Sequence, residues 1–157
     1  MTLLGKNDGA NALDGSGYLD LASFIRKYGG NVKKDLRELW RRIVFNMAVS
    51  NTDDHLRNHG FILGKEGWIL SPVYDVNPTN YGDTLSLNVD SDSNAIDFNL
   101  ALSAAKYYDL TQKQAEEDLK EIKNIVESNW RKLAEKYGIS RSEIESMSPA
   151  FDMRYKS

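Results

Sequence analysis

Apolar residues recur at helical spacing along most of the chain and predict a mostly α-helical protein. The clearest case is residues 35–49, where apolar side chains three and four positions apart would form one broad buried stripe. A shorter helix is predicted over residues 18–28, and Gly29 and Gly30 would end it. Residues 97–107 show the same spacing and predict a third helix.

Two further helices are predicted from their first residues. Thr111 is placed to cap a long helix that runs to about Lys136, because a hydroxyl at this position accepts a hydrogen bond from the first helical turn. Ser140 and Glu143 have the spacing of a capping box and predict a last short helix. The tryptophans Trp40, Trp68 and Trp130 are interpreted as packing residues of the core and the hairpin.

The helical pattern is interrupted between residues 51 and 96. Residues 51–58 are polar, and two short apolar runs then flank residues 64–67, which predicts a β-hairpin with a four-residue turn. Residues 84–89 alternate between apolar and polar and predict a further strand. The predicted fold class is therefore mostly α with a small β-hairpin region, an α+β domain over residues 18–157 that follows a flexible segment of residues 1–17.

Composition narrows the classes of function. The 157 residues carry a net charge of −3, so we expect no direct nucleic-acid binding and no attraction to anionic membranes. There is no cysteine, which excludes disulfides and thiolate zinc sites. The sequence shows neither a signal peptide nor an apolar run long enough to span a membrane, so a cytoplasmic protein is expected.

The candidate chemistry lies on both sides of the predicted hairpin. Asp53 and Asn58 are five residues apart in the polar segment, and Asp75 follows the second apolar run. Protein kinases use an acid, an amide and a second acid in this arrangement. Carboxylate and amide oxygens suit Mg²⁺, so Asn58 and Asp75 are predicted to hold Mg²⁺ on ATP phosphates, and Asp53 to act as the catalytic base.

The neighbouring histidines leave alternatives open. His55 is predicted to belong to the nucleotide site, where it would orient Asp53 or the loop backbone. His55 and His59 are four residues apart, a spacing that binds zinc when both lie on one helical face, although the predicted strand after His59 argues against this. In a third interpretation the chain is a helical domain without a site, in which Asp53, Asn58 and Asp75 only make turns, as Asp and Asn favour.

Two segments carry a resemblance to a known family. The segment NTDDHLRNHGF at 51–61 and the segment LSPVYDV at 70–76 resemble the C-terminal domain of HipA-type serine/threonine kinases, the toxins of bacterial toxin–antitoxin pairs. The combination of T-D-x-H-x-x-N with P-x-Y-D is specific to that family, and the compatible region extends over about residues 10–140. The resemblance implies the helical C-lobe of a protein-kinase-like fold, with Asp53 catalytic and Asn58 and Asp75 as Mg²⁺ ligands.

The resemblance also implies partners. The family phosphorylates protein serine or threonine, a glutamyl-tRNA synthetase being the known type of target, and a HipB-type antitoxin restrains it. Its N-terminal lobe supplies the phosphate-binding loop and the lysine that clamp ATP, and neither is recognisable here. We therefore expect a catalytic lobe that is inactive until such a lobe is supplied. Alternatively, the chain is a non-catalytic module that docks an antitoxin or another protein through an exposed basic face at residues 33–42 or through the acidic turn at 90–92.

Overall fold

The computed structural model describes residues 2–156 and confirms a mostly helical chain with one small hairpin in this range. The helices and strands are α1 (Tyr18–Tyr28), α2 (Val32–Val49), β1 (Phe61–Leu63), β2 (Trp68–Leu70), α3 (Phe98–Ala104), α4 (Gln112–Lys136) and α5 (Arg141–Met147). Short 3₁₀ helices lie at Thr2–Leu4, Ala12–Asp14, Leu56–Asn58, Ala105–Tyr108, Ser148–Phe151 and Met153–Tyr155.

Helix α2 is the centre of the core and contacts α1, α3, α4 and β2. Its apolar stripe is fully buried, as the spacing predicts, and consists of Leu36, Leu39, Trp40, Ile43, Val44 and Met47. The indole N–H of Trp40 donates to the carbonyl of Ala101 at 3.0 Å, so even the polar atom of this side chain is satisfied inside the core. The helix begins at Val32, three residues before the predicted start.

The hairpin is confirmed with its predicted turn at residues 64–67. Its strands are antiparallel, with Phe61 opposite Leu70. Polar contacts fix it to α2: the Leu70 N–H donates to Asp35 Oδ2 at 3.0 Å, and Arg42 Nη2 donates to the Ser71 carbonyl at 2.6 Å. A two-stranded hairpin is only marginally stable alone, so these contacts determine where it sits.

The prediction of a strand at residues 84–89 is wrong. Isolated bridges join Thr84 to Ala95 and Gly17 to Asn88, and no ladder extends from either of them in the described part of the chain. The alternating apolar side chains are nevertheless buried, namely Leu85, Leu87 and Val89. Alternation reports burial of one side of an extended segment, whereas a strand also needs a neighbouring chain of matching length.

The two predicted helix caps are confirmed. Thr111 caps α4 and Ser140 caps α5, and Asp97, for which no cap was predicted, caps α3; each accepts a hydrogen bond from an N–H of the first turn. The third predicted helix is shorter than expected, because α3 ends at Ala104 and continues as the 3₁₀ helix Ala105–Tyr108. The tryptophans pack as predicted: Trp68 lies against Phe24 and Trp130 stacks on Phe151.

The N-terminal segment lies against the rest of the described chain. Ala10 and Ser16 are buried, and the Ala12 N–H donates to the Ser86 carbonyl at 2.8 Å. The domain boundary at residue 17 and the flexibility of residues 1–17 stay predictions, and Met1 lies outside the described residues.

The interpretation of residues 33–42 as an exposed basic face is wrong for Arg41 and Arg42. Arg41 and its neighbour Arg37 donate to the buried carboxylate of Asp118 on α4, at 2.6 and 2.8 Å, and Arg42 is itself buried. Burial of Asp118 by itself would raise its pKa, but the two guanidinium groups outweigh burial and hold the pKa below its ordinary value. Lys33 and Lys34 remain exposed. The acidic turn at 90–92 stays a predicted contact surface.

We expect Asp118→Asn to lower the free energy of unfolding at pH 7 by roughly 2 kcal/mol, because three charge-assisted hydrogen bonds from Arg37 and Arg41 lose their acceptor charge. A carboxyl group with a lowered folded-state pKa stabilises the fold above its unfolded pKa and loses that effect as the pH falls through the folded value. Urea denaturation should therefore show the gap between wild type and variant closing in acid.

The matched control for this prediction is Glu121→Gln, which removes the exposed partner of the same Arg41. Exposed ion pairs contribute little, so its expected effect is below about 0.5 kcal/mol. Equal losses in the two variants, or a gap for Asp118→Asn that persists in acid, would contradict the assigned role of Asp118.

Candidate active site

The polar loop (residues 51–58) begins where α2 ends. Ser50 adopts a left-handed conformation with φ of 52°, and its N–H still bonds back to the carbonyl of Met47. A left-handed residue turns the chain out of the helix, as at many helix C-termini. The loop then passes through the 3₁₀ helix Leu56–Asn58 and enters β1. The helix and the hairpin, both held by the core, thus fix the two ends of the loop.

The side chain of Asn58 contacts the other two residues that the sequence singled out, Asp53 and Asp75. Its amide nitrogen donates long hydrogen bonds to the backbone carbonyls of Asp53 at 3.4 Å and Asp75 at 3.5 Å. Asn58 is buried, whereas Asp53 and Asp75 are exposed. The hairpin returns the chain to the end from which it left, so residues 17 positions apart come together. The structure therefore brings Asp53, Asn58 and Asp75 into one cluster.

Asp75 is held in an uncommon backbone conformation. Its φ is 57°, in the left-handed region that L residues other than Asn and Asp rarely adopt. The amide of Asn77 donates to Asp75 Oδ1 at 2.8 Å and steadies the exposed carboxylate. Such conformations persist where the surroundings enforce them and occur often at functional sites. The conformation supports a site role for this residue without defining the role.

The donor set fits Mg²⁺ better than zinc. Because the Asn58 amide nitrogen faces two carbonyl acceptors, its Oδ1 points away from them. This amide oxygen and the exposed carboxylate of Asp75 are both oxygen donors of the kind that Mg²⁺ takes. Mg²⁺ takes one or two protein oxygens and completes its shell with phosphates and water. Within residues 2–156 no cluster of three or more His, Cys, Asp or Glu side chains suited to a metal occurs.

The two histidines have different surroundings. His55 Nε2 lies 3.1 Å from a guanidinium nitrogen of Arg57, which also pairs with Asp8. His59 is buried, and its Nε2 lies 3.0 Å from Asp54 Oδ2. The zinc alternative, which needs both rings on one helical face, finds no such face, since His55 lies before and His59 after the 3₁₀ helix. The assignment of His55 to a nucleotide site stays a prediction.

Asp54 is the residue that the sequence analysis missed. Its carboxylate is buried, and Oδ2 accepts hydrogen bonds from the Tyr18 hydroxyl at 2.6 Å and the Asn46 amide at 2.7 Å, in addition to its contact with His59. Burial raises the pKa of Tyr18 well above its ordinary value, and the negative charge of Asp54 raises it further, so the phenol remains a donor. These contacts link α1, α2 and the start of the hairpin to the loop.

One signal in the sequence does point to this network. Asn46 lies three positions after Ile43 and seven after Leu39, on the edge of the buried stripe of α2. A polar residue at a core position requires a buried hydrogen-bond partner. The partner lies eight residues on, in a segment that shows no periodicity, so the sequence indicates the need for a partner without naming Asp54.

Comparison with known proteins supports the family. The family model for the HipA-like C-terminal domain matches residues 1–130. The chain belongs to the HipA-like C-terminal domain family. A Haemophilus influenzae protein named "Putative kinase" is 39% identical over 59 residues, which are 37% of this chain and 17% of that protein. The resemblance read from the polar loop is therefore confirmed at the level of the family.

The HipA-like domain has no helix within residues 2–156 that combines the length and the apolar content needed to cross a membrane.

We expect Asp54→Asn to destabilise the HipA-like domain by roughly 2–4 kcal/mol, because the buried donors of Tyr18, Asn46 and His59 lose a charged acceptor. The adjacent Asp53→Asn is the matched control: its carboxylate is exposed, so a change within about 0.5 kcal/mol is expected. Urea denaturation of both variants at pH 7 measures the difference. Similar unfolding free energies for the two variants would refute the anchoring role of Asp54.

Proposed function

We propose that this chain is the catalytic lobe of a HipA-type serine/threonine protein kinase, which transfers the γ-phosphoryl group of ATP with Mg²⁺. The observation that supports it most strongly is the meeting of Asp53, Asn58 and Asp75 through the Asn58 amide. Membership of the HipA-like family and the name of the Haemophilus influenzae relative point to the same class of enzyme.

The proposed roles follow from where the side chains lie. Asp53 is exposed, so its carboxylate is available to the hydroxyl of a protein serine or threonine. It would accept a hydrogen bond from that hydroxyl and take its proton as the oxygen bonds to the γ-phosphorus and ADP departs. Asp54 cannot take this role, because its carboxylate is buried and already accepts three contacts.

Asn58 Oδ1 and the Asp75 carboxylate would hold Mg²⁺, which when bound neutralises charge on the ATP phosphates. The strand pair between these residues sets their spacing, and the hydrogen bonds from Arg42 and to Asp35 hold that strand pair on α2. His55 is proposed as a further residue of the nucleotide site, near the backbone of the polar loop.

The proposed enzyme needs a second lobe and works with partners. Phosphoryl transfer requires a clamp on the nucleotide, and we propose that a HipA-type N-terminal lobe supplies it in the functional assembly. Family membership implies a HipB-type partner in general, and we propose that an antitoxin of this type restrains the activity. A cytoplasmic location is part of the same proposal.

We expect Mg²⁺-dependent binding of ATP to the chain, and Asp75→Asn should abolish that metal dependence because the variant loses one anionic ligand. Isothermal titration calorimetry of ATP with and without Mg²⁺ measures it. Asp83→Asn is the matched control, since Asp83 is also exposed and belongs to no part of the cluster. Equal metal dependence in wild type and Asp75→Asn would contradict the assignment of Asp75.

A second prediction concerns transfer once a nucleotide-clamping lobe is supplied. Asp53→Asn should lower transfer of radiolabelled γ-phosphate to protein by at least about 10²-fold while ATP binding is kept, because a positioned base acts in the transition state. Transfer that persists in the variant would refute the role of Asp53. Antitoxin binding that survives Asp53→Ala and Asp75→Ala, in a chain that never shows transfer, would favour the non-catalytic docking module.

A further inference from the structure

A second concave site lies at the N-terminal half of α2. The groove opens between this half of the helix and the segment that leads into α4, and its volume is about 420 Å³. Helix α2 rises about 1.5 Å per residue, which places Ser50, where the helix ends, about 24 Å from Lys34 in the groove. The groove is therefore separate from the cluster of Asp53, Asn58 and Asp75.

The lining of this groove is basic, although the net charge of the chain is −3. Four cationic side chains line it, namely Lys33, Lys34, Arg37 and Arg41. Glu38 and Asp109 also line it, but both already pair with guanidinium groups outside the groove. Lys33 and Lys34 form no ion pair within residues 2–156, so the described chain leaves their positive charges without a partner.

Arg37 adds a cation that is already held in place. Its Nε and Nη2 both donate to the buried carboxylate of Asp118, each at 2.8 Å, and this bidentate pair orients the guanidinium group. The side chain is still 46% exposed, so a ligand in the groove can approach it. Arg41 donates to the same carboxylate at 2.6 Å, so one buried negative charge serves two guanidinium groups. An anion that binds here thus meets a cation that needs little further ordering.

The remaining lining residues suit a peptide. Leu110 contributes a partly buried apolar side chain, and Asn31 and Gln114 contribute amides, a group that can pair with either the N–H or the C=O of a peptide bond. The volume falls within the ~300–1,000 Å³ that is usual for ligand pockets. Cations, amides and one apolar side chain together match an acidic segment of protein better than they match an inorganic anion.

Acidic side chains restrict the length of the anion that fits. Glu121 pairs with Arg41 at the edge of the groove, and the exposed Glu117 lies one turn before Glu121 on α4. Duplex DNA carries a phosphate about every 1.7 Å along its axis, so it would also bring phosphates against these carboxylates. A short protein segment can place its carboxylates on the cations alone. The charge distribution therefore favours an acidic peptide over a nucleic acid.

We propose that this groove docks a short acidic segment of a protein partner. One carboxylate of the segment accepts a hydrogen bond from the exposed edge of the Arg37 guanidinium, and a neighbouring carboxylate lies against Lys33 and Lys34. Docking of this kind does not depend on phosphoryl transfer, so it stands or falls separately from the kinase assignment.

The test titrates the peptide acetyl-EDLE-amide into the isotope-labelled full chain. Backbone amide NMR signals of residues 31–41 and 109–114 should shift and saturate, together with the Nε–H signal of Arg37. The neutral peptide acetyl-QNLQ-amide has the same length but no carboxylate, so it should bind at least ~10-fold more weakly. Raising the ionic strength from ~0.05 M to ~0.3 M should weaken binding of the acidic peptide, because exposed charges are screened.

A pair of double variants tests the position of the site. Lys33→Gln/Lys34→Gln should weaken binding of the acidic peptide at least ~10-fold, because it removes the two charges that have no partner. Lys132→Gln/Lys136→Gln is the matched control, since these lysines are also exposed, lie on α4 outside the groove, and change the net charge by the same amount when replaced. The control should bind within about twofold of wild type, because distant exposed charges contribute little.

Four results would overturn the proposal: no saturable shifts with the acidic peptide, equal binding of the neutral peptide, equal affinities of the two double variants, or tighter binding of an oligothymidylate that carries the same number of negative charges. The last result would assign the groove to nucleic acid instead of protein.

Discussion

A single buried carboxylate oxygen, Oδ2 of Asp54, holds the candidate active site together. It accepts from Tyr18 on α1 and Asn46 on α2, and it contacts His59 just before β1. Burying a carboxylate is costly unless hydrogen bonds replace its water, and here three contacts do so. Because the polar loop has little apolar surface of its own, this anchor determines how Asp53 is presented.

Helix α2 serves both the core and the site, through different faces. Its apolar stripe packs against its neighbours, while Asp35 and Arg42 reach the hairpin strands and Asn46 reaches the polar loop. A short hairpin cannot keep its place by packing alone. Since Asp75 follows the second strand, its position relative to Asn58 depends on these polar contacts as much as on the turn. Both the stability of the core and the geometry of the candidate site therefore depend on α2.

The parts of the fold that follow from local rules could be predicted from the sequence. Helical periodicity, caps at Thr111 and Ser140, and a turn between apolar runs each depend on residues close in the chain. The approach of the Asn58 side chain to the backbone of Asp75, 17 positions on, was predictable because a hairpin returns the chain to the end from which it left. The strand predicted at residues 84–89 does not form, because a strand needs a paired neighbour and local alternation does not show whether one is present.

The remaining misses have the same cause, which is that burial of polar residues is a long-range property. Arg41 and Arg42 look like surface residues by composition, yet the carboxylate that draws Arg41 inward is 77 positions away, on α4. Asp53 and Asp54 are the same residue type side by side, and Asp54 is the buried one because its carboxylate meets Tyr18, 36 residues earlier, together with Asn46 and His59. Sequence patterns show where polar residues lie along the chain but do not show which of them are buried.

The exposure of Asp53 and Asp75 bears on how the proposed reaction would work. Charges that face water interact weakly, whereas catalysis by positioned charges depends on a site from which water is excluded. The described part of the chain leaves both carboxylates open to solvent. If it transfers phosphate, a second protein surface has to close over the cluster, both to clamp the nucleotide and to lower the local dielectric. For the proposed kinase, the need for a completing surface thus follows from electrostatics as well as from the need to clamp the nucleotide.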